Sequence, residues 1–330
     1  MTPELMQGTE VLRMLKRVGC GCGGSGSMHH RVALIAAAAR VASACMLAVG
    51  LLDTSRAAEP PDPMSEVDVT SERQTALDAQ AISISSTPDA EPSVKGKTSV
   101  VVGLGPAVAP VYDGSKDYRL SLFPYLDIHG LLYDRVYISD VRGLGVNIVN
   151  SGPFRAGAAV NIEGGRTDRG SDRLRGLPNI GASGVVAGFL SYSVKPFAFE
   201  GRVQRELGTD AGTQAGLGAS FGTAPTPRLH LSVGAQLSWA DSEFNQKHFG
   251  VTPAAAAQAT SVGNPIDAYV PGSGLTNIGM SATGVYAWSE HWGIAVRLGV
   301  TDVVGTPAKE SPLTQRKVGG SFAIGPLYKF

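Results

Sequence analysis

The stretch Val318-Gly-Gly-Ser-Phe-Ala-Ile-Gly-Pro-Leu-Tyr-Lys-Phe330 decides the fold. From Phe322 its apolar side chains fall on alternate positions (Phe322, Ile324, Pro326, Tyr328, Phe330), set against Ser321, Ala323, Gly325 and Lys329. Period two is the mark of a strand with two unlike faces. A chain whose last segment is such a strand leaves an edge to be paired. In an outer-membrane barrel that edge closes against the first strand, and nothing unpaired remains. The last strand of a soluble sandwich would read the same way, so the rest of the chain has to decide.

The period holds from Ser99 onward. Tyr118, Leu120, Leu122, Leu126 and Ile128 alternate with Arg119, Ser121, Asp127 and His129. Phe154, Ala156, Ala158, Val160 and Ile162 alternate with Arg155, Gly157, Asn161 and Glu163. The pattern returns with Phe197, Phe199 and Val203 against Glu200, Arg202, Gln204 and Glu206, then in 229–239 and 292–300. Segments of about ten residues match a tilted strand crossing a bilayer.

Three features favour lipid on the apolar side. Connections alternate short (Asn150–Pro153, Lys195-Pro196, Thr223–Pro227, Ser289–His291) and long (164–183, 240–275, 303–317), as periplasmic turns and outer loops do. Trp239, Trp288 and Trp292 sit at strand ends, where an aromatic girdle belongs. Parity puts both ends of the barrel on the short-turn side only if 131–149 divides at Asp140-Val-Arg142. The expected fold is all-β, a closed antiparallel transmembrane β-barrel of about twelve strands in an up-and-down meander over 98–330, in the cell outer membrane.

Composition agrees. With 28 basic and 28 acidic residues the formal net charge is zero, which argues against nucleic acid as a partner. Gly is abundant at 42 residues and mean hydropathy is +0.05, as suits strands apolar on one side only. Residues 1–57 read as an N-terminal extension and signal peptide: Met28-His-His-Arg31, an apolar run broken by Arg40, and Ser55-Arg56-Ala57 as the cleavage site. Residues 58–97, rich in Pro, Ser, Asp and Glu, read as a disordered acidic periplasmic tail. Cys20, Cys22 and Cys45 all fall before that cleavage, so the mature chain would have no thiolate site, and no metal or cofactor is expected.

The inward-facing charges Arg119, Asp127, Glu200, Arg202, Glu206 and Arg297 are candidate lumen-lining residues. Their mixed signs suit a cross-strand charge lattice that fills a narrow barrel better than a selectivity filter. Arg166, Arg169, Arg173 and Arg175 form the one dense basic run; on an outer loop they are candidate contacts for lipopolysaccharide phosphates. Ala254–Ala259 behind Pro253 is expected to be a short helix. Gly103-Leu-Gly105 opens like a dinucleotide fingerprint, but Pro106 follows and no helix pattern does. His230 and Ser232, on one face of one strand with no third group to orient them, read as lumen lining rather than as a catalytic pair.

Val102-Gly-Leu-Gly105, Pro110–Ser115, Leu122-Phe-Pro-Tyr-Leu-Asp127 and Asp134-Arg-Val-Tyr137 together resemble the opening of the MipA/OmpV family of outer-membrane proteins. Phe249-Gly-Val-Thr-Pro-Ala-Ala-Ala-Ala257 and Ala268–Leu275, in the longest loop, carry the resemblance most strongly, and Tyr328-Lys-Phe330 fits it. The resemblance covers roughly 99–330 and implies a scaffold rather than an enzyme. The family's namesake associates with the murein lytic transglycosylase MltA and a penicillin-binding synthase. The expected partners are therefore outer-membrane lipid, lipopolysaccharide and murein-metabolising enzymes. A small-solute channel and a surface adhesin are the other classes this fold serves.

Overall fold

The computed structural model describes residues 98–208 and 211–330; the expected signal peptide and acidic tail lie outside the described residues. Twelve strands form one closed antiparallel ring. They are β1 (Ser99–Pro110), β2 (Tyr118–Leu131), β3 (Val136–Ser139), β4 (Gly143–Ser151), β5 (Phe154–Glu163) and β6 (Ser183–Val194), then β7 (Phe197–Glu206), β8 (Thr213–Thr226), β9 (Leu229–Ala240), β10 (Gly274–Ala287), β11 (Trp292–Val303) and β12 (Val318–Lys329). Each strand pairs with its neighbours in sequence, and β12 closes on β1. The meander is up-and-down, as its alternation implied.

Burial follows the period. On β7, Phe199 and Val203 are exposed, whereas Glu200, Arg202 and Glu206 between and beside them are only 5%, 6% and 4% exposed. A fold that turns leucine and phenylalanine outward and carboxylates inward has lipid for its outer solvent. Aromatic side chains cluster at the short-turn rim, where Trp292, Tyr328 and Phe330 pack edge to face, as do Phe197 and Phe221. Trp239 stands at the opposite end of the wall, as the penultimate residue of β9. This is an outer-membrane β-barrel.

Closure explains two glycines. A side chain at Gly105 would put its Cβ 1.9 Å from the Ile324 carbonyl oxygen, and one at Gly103 would meet the Pro326 carbonyl at 2.5 Å. The apparent fingerprint is thus where β12 approaches β1 too closely for any Cβ.

The division at Asp140–Arg142 is present, but β3 is far shorter than its neighbours and the hairpin stops part-way up the wall. One expected turn moves. β8 runs on through Thr226 past an irregularity at Thr223/Thr226, so the connection to β9 is Pro227-Arg228 rather than Thr223–Pro227.

The outer loops pack into a cap. The longest holds α1 (Ser242–Phe249), with Asp241 as N-cap, and α2 (Pro253–Ser261), where the Thr252 side chain accepts from the Ala255 N–H and Pro253 sits in the first turn. A further turn, α3 (Thr306–Lys309), precedes β12. Val111, Tyr112, Leu174, Leu177, Val251, Ala255 and Leu313 form a small apolar core from four loops. At the other rim, Leu132, Tyr133 and Asp134 all adopt left-handed φ, at 47°, 63° and 65°. The Asp134 carboxylate accepts from the Gly130 N–H at 3.3 Å, and the Asn147 side chain donates to the Asp134 carbonyl at 2.8 Å.

Candidate functional site

The barrel interior is crossed by paired charges. The β3–β4 tip turns inward rather than ending in water. Asp140 accepts from Arg297 of β11 at 2.8 Å, and Arg142 pairs with Glu200 of β7. The Ser139 hydroxyl accepts from the Val141 and Arg142 N–H groups, at 3.3 and 3.4 Å. A hairpin tip at membrane depth must satisfy its polar groups internally, and this one does so with ion pairs. The Arg297 guanidinium also lies over the Phe123 and Tyr125 rings, 5.0 and 4.9 Å from their centroids. Such contacts add about 0.5–2 kcal/mol each once desolvated.

A second cluster continues toward the outer rim. Arg202 donates to Gln204 at 3.0 Å, and Gln204 donates to Glu163 and to Gln214. Glu206 accepts from Lys247 at 3.0 Å and lies 3.4 Å from the His248 ring, tying α1 of the cap to the wall. Burial holds His248 below the ordinary histidine range. In the loop after β1, burial pushes Asp113 up to about 7, against the Asn277 side chain that donates to it at 3.3 Å.

Of the six lumen candidates, Glu200, Arg202, Glu206 and Arg297 belong to these two clusters. Asp127 borders the first cluster, opposite Ser139 in the β2–β3 register and 2.5 Å from His129. Arg119 occupies an inward position near the outer end of β2. Asp140, Arg142 and Glu163 were missed as lumen residues. For Asp140 and Arg142 the signal misled, since a short turn with two charges reads as solvated; Glu163 was legible, on the polar face of β5.

The four-arginine run does not converge. Arg166 is 9% exposed, and its guanidinium donates to the His248 carbonyl at 2.6 Å. Burial lowers its pKa to about 10. Arg173 donates to the Pro312 carbonyl at 2.8 Å, stitching two loops of the cap together. Arg169 and Arg175 remain at the surface, Arg175 paired with Asp172 at 2.7 Å. His230 and Ser232 occupy β9, Ser232 buried. Among the described residues no group of three His, Cys, Asp or Glu side chains could hold a metal ion.

The profile of the family described as MltA-interacting protein MipA matches residues 102–330, from near the start of β1 through the last residue. The chain belongs to that family. Solved structures similar to it include an outer-membrane channel from Pseudomonas putida F1, 13% identical, covering 73% of this chain and 100% of that one at a TM-score of 0.37. The translocator domain of the autotransporter NalP from Neisseria meningitidis is 11% identical, covering 80% and 100% at 0.37. The outer-membrane channel DcaP of Acinetobacter baumannii is 8% identical, covering 73% and 98% at 0.31. No curated protein matches the chain.

Proposed function

We propose that this protein is a non-catalytic, non-conducting scaffold of the outer membrane that holds a murein lytic transglycosylase of the MltA type at its periplasmic side. One observation carries the reading: the lumen is spanned at mid-depth by the Arg297–Asp140 and Arg142–Glu200 pairs beneath a cap of packed loops. Those groups pair across the lumen, as they do in a barrel whose interior is filled by side chains. The family description supplies the partner class.

The short-turn rim supports the same reading. Leu132 and Tyr133 are held outward in a left-handed turn that costs about 1 kcal/mol or more per residue. Strain maintained at an exposed rim suits a surface that is presented to something. Lipopolysaccharide contact on the opposite side narrows to Arg169 and Arg175.

The test is capture of periplasmic enzymes on the immobilised barrel, with and without residues 58–97. Enrichment of a murein lytic transglycosylase by at least one form is expected. Recovery of no murein enzyme by either form contradicts the proposal.

A further inference from the structure

We infer that the barrel wall has a lateral opening on its outer-leaflet side, between β2 and β5, which admits the polar head of a single-chain zwitterionic amphiphile to the charge lattice while its hydrocarbon chain stays in lipid. The register shows the opening. The Asp140 N–H donates to the Leu126 carbonyl at 2.8 Å, and the β4–β5 ladder ends at Leu144 opposite Val160. Above that level no hairpin stands between β2 and β5. Yet β2 continues to Tyr118, paired on its other side only, with β1. That is roughly 25 Å of strand at about 3.3 Å per residue.

The β5–β6 hairpin likewise continues past Glu163 to the bridge between Arg166 and Ile180. Two missing strands leave about 10 Å of wall unfilled, at about 4.8 Å per strand. The loop after β5 crosses over the top, where the Ser171 hydroxyl donates to the Asp117 carboxylate at 2.6 Å. The opening thus has a sill at Asp140–Arg142, two strand edges as sides, and a lintel.

Its edges are not built to receive a strand. Because Leu126 turns its carbonyl toward the hairpin, alternation turns the backbone groups of Pro124, Leu122 and Leu120 toward the opening. Pro124 has no N–H to offer. Across the gap, the Ile162 N–H is accepted by the Asn161 side chain at 2.9 Å. Both edges are blunted against strand addition. A second copy fits no better: a two-fold axis along the membrane normal would bring two β2 edges together running the same way and crossing at twice their tilt.

The remaining groups still need partners. Leu120 and Leu122 are 71% and 51% exposed, side chains outward, so their free backbone groups stand at lipid level. Facing hydrocarbon they would cost several kcal/mol each. A polar head group in the opening satisfies them. Behind it stand the guanidinium groups of Arg119, Arg142 and Arg297 and the carboxylates of Asp140, Glu163 and Glu200. Three charges of each sign suit a head that carries both, such as a lysophospholipid's phosphate and ammonium.

The experiment places a tryptophan behind the opening. In nanodiscs, the Phe123→Trp variant, in a chain whose Trp239, Trp288 and Trp292 are replaced by Phe, is titrated with lysophosphatidylcholine bearing a nitroxide next to its head group. The control is Leu327→Trp, inward-facing behind the complete β11–β12–β1 wall. Tyr125→Trp on the same strand repeats the reading if Phe123→Trp fails to fold. Expected is saturable quenching at least threefold stronger beside the opening than at Leu327→Trp, and at least threefold weaker quenching there by a nitroxide fatty-acid anion. Equal quenching at the two sites overturns the opening; equal quenching by the two probes overturns the head-group assignment.

Discussion

Replacing Asp140 by Asn should strand the Arg297 guanidinium inside the barrel. The pair is 2.8 Å apart, with side chains only 18% and 7% exposed, so neither charge is rescued by bulk water. Breaking one partner of a buried pair costs about 3–5 kcal/mol. Asp140→Asn keeps the guanidinium between Phe123 and Tyr125 and should fall at the low end, about 3 kcal/mol. Arg297→Met also loses both ring contacts and should cost about 4–5 kcal/mol. In the double variant no charge is left unpaired, and only the two ring contacts are missing, about 1–4 kcal/mol together. The assay is the urea midpoint for folding into lipid vesicles, read by migration of folded against boiled protein on a gel. A double variant less stable than both singles, with the two costs simply adding, would refute the view that these charges exist for each other.

Two further outcomes follow from the loops. Burial raises Asp113 to about 7 from an ordinary 3.8, so the folded cap prefers the neutral acid. Its contribution is complete below pH 4 and is lost as pH climbs from about 4 to 7. Asp113→Asn should therefore flatten the fall in melting temperature over that window and melt higher than the parent at pH 8; parallel curves for the two proteins would contradict this. At the other rim, Leu132→Asn should stabilise by about 0.5–1 kcal/mol, because Asn tolerates left-handed φ and Leu at 47° does not. A lower urea midpoint for that variant would count against strain in the turn.

The wall was legible in the sequence because its cause is local. Alternation along β7 or β12 records directly which side meets lipid, and parity alone demanded the division at Asp140–Arg142. The helix behind Pro253 was legible for the same reason, since cap, proline and alanines are contiguous. What could not be read is the depth of the β3–β4 tip. Asp140 and Arg142 look like any solvated turn until Arg297 and Glu200, 157 and 58 residues away, are placed opposite them. The arginine run misled in the same way. Arg166 and Arg173 serve carbonyls 82 and 139 residues distant, so a local cluster of charge became two separate staples. The cap's core was invisible as well. Tyr112, Leu174, Val251 and Leu313 are single apolar residues in polar loops and share no period.

The lattice at Arg297, Asp140, Arg142 and Glu200 fills the cylinder that the wall encloses. Purified barrel reconstituted into a planar bilayer should give no sustained current at moderate voltage. A steady open conductance from the unaltered protein would contradict the filled lumen and the scaffold function with it.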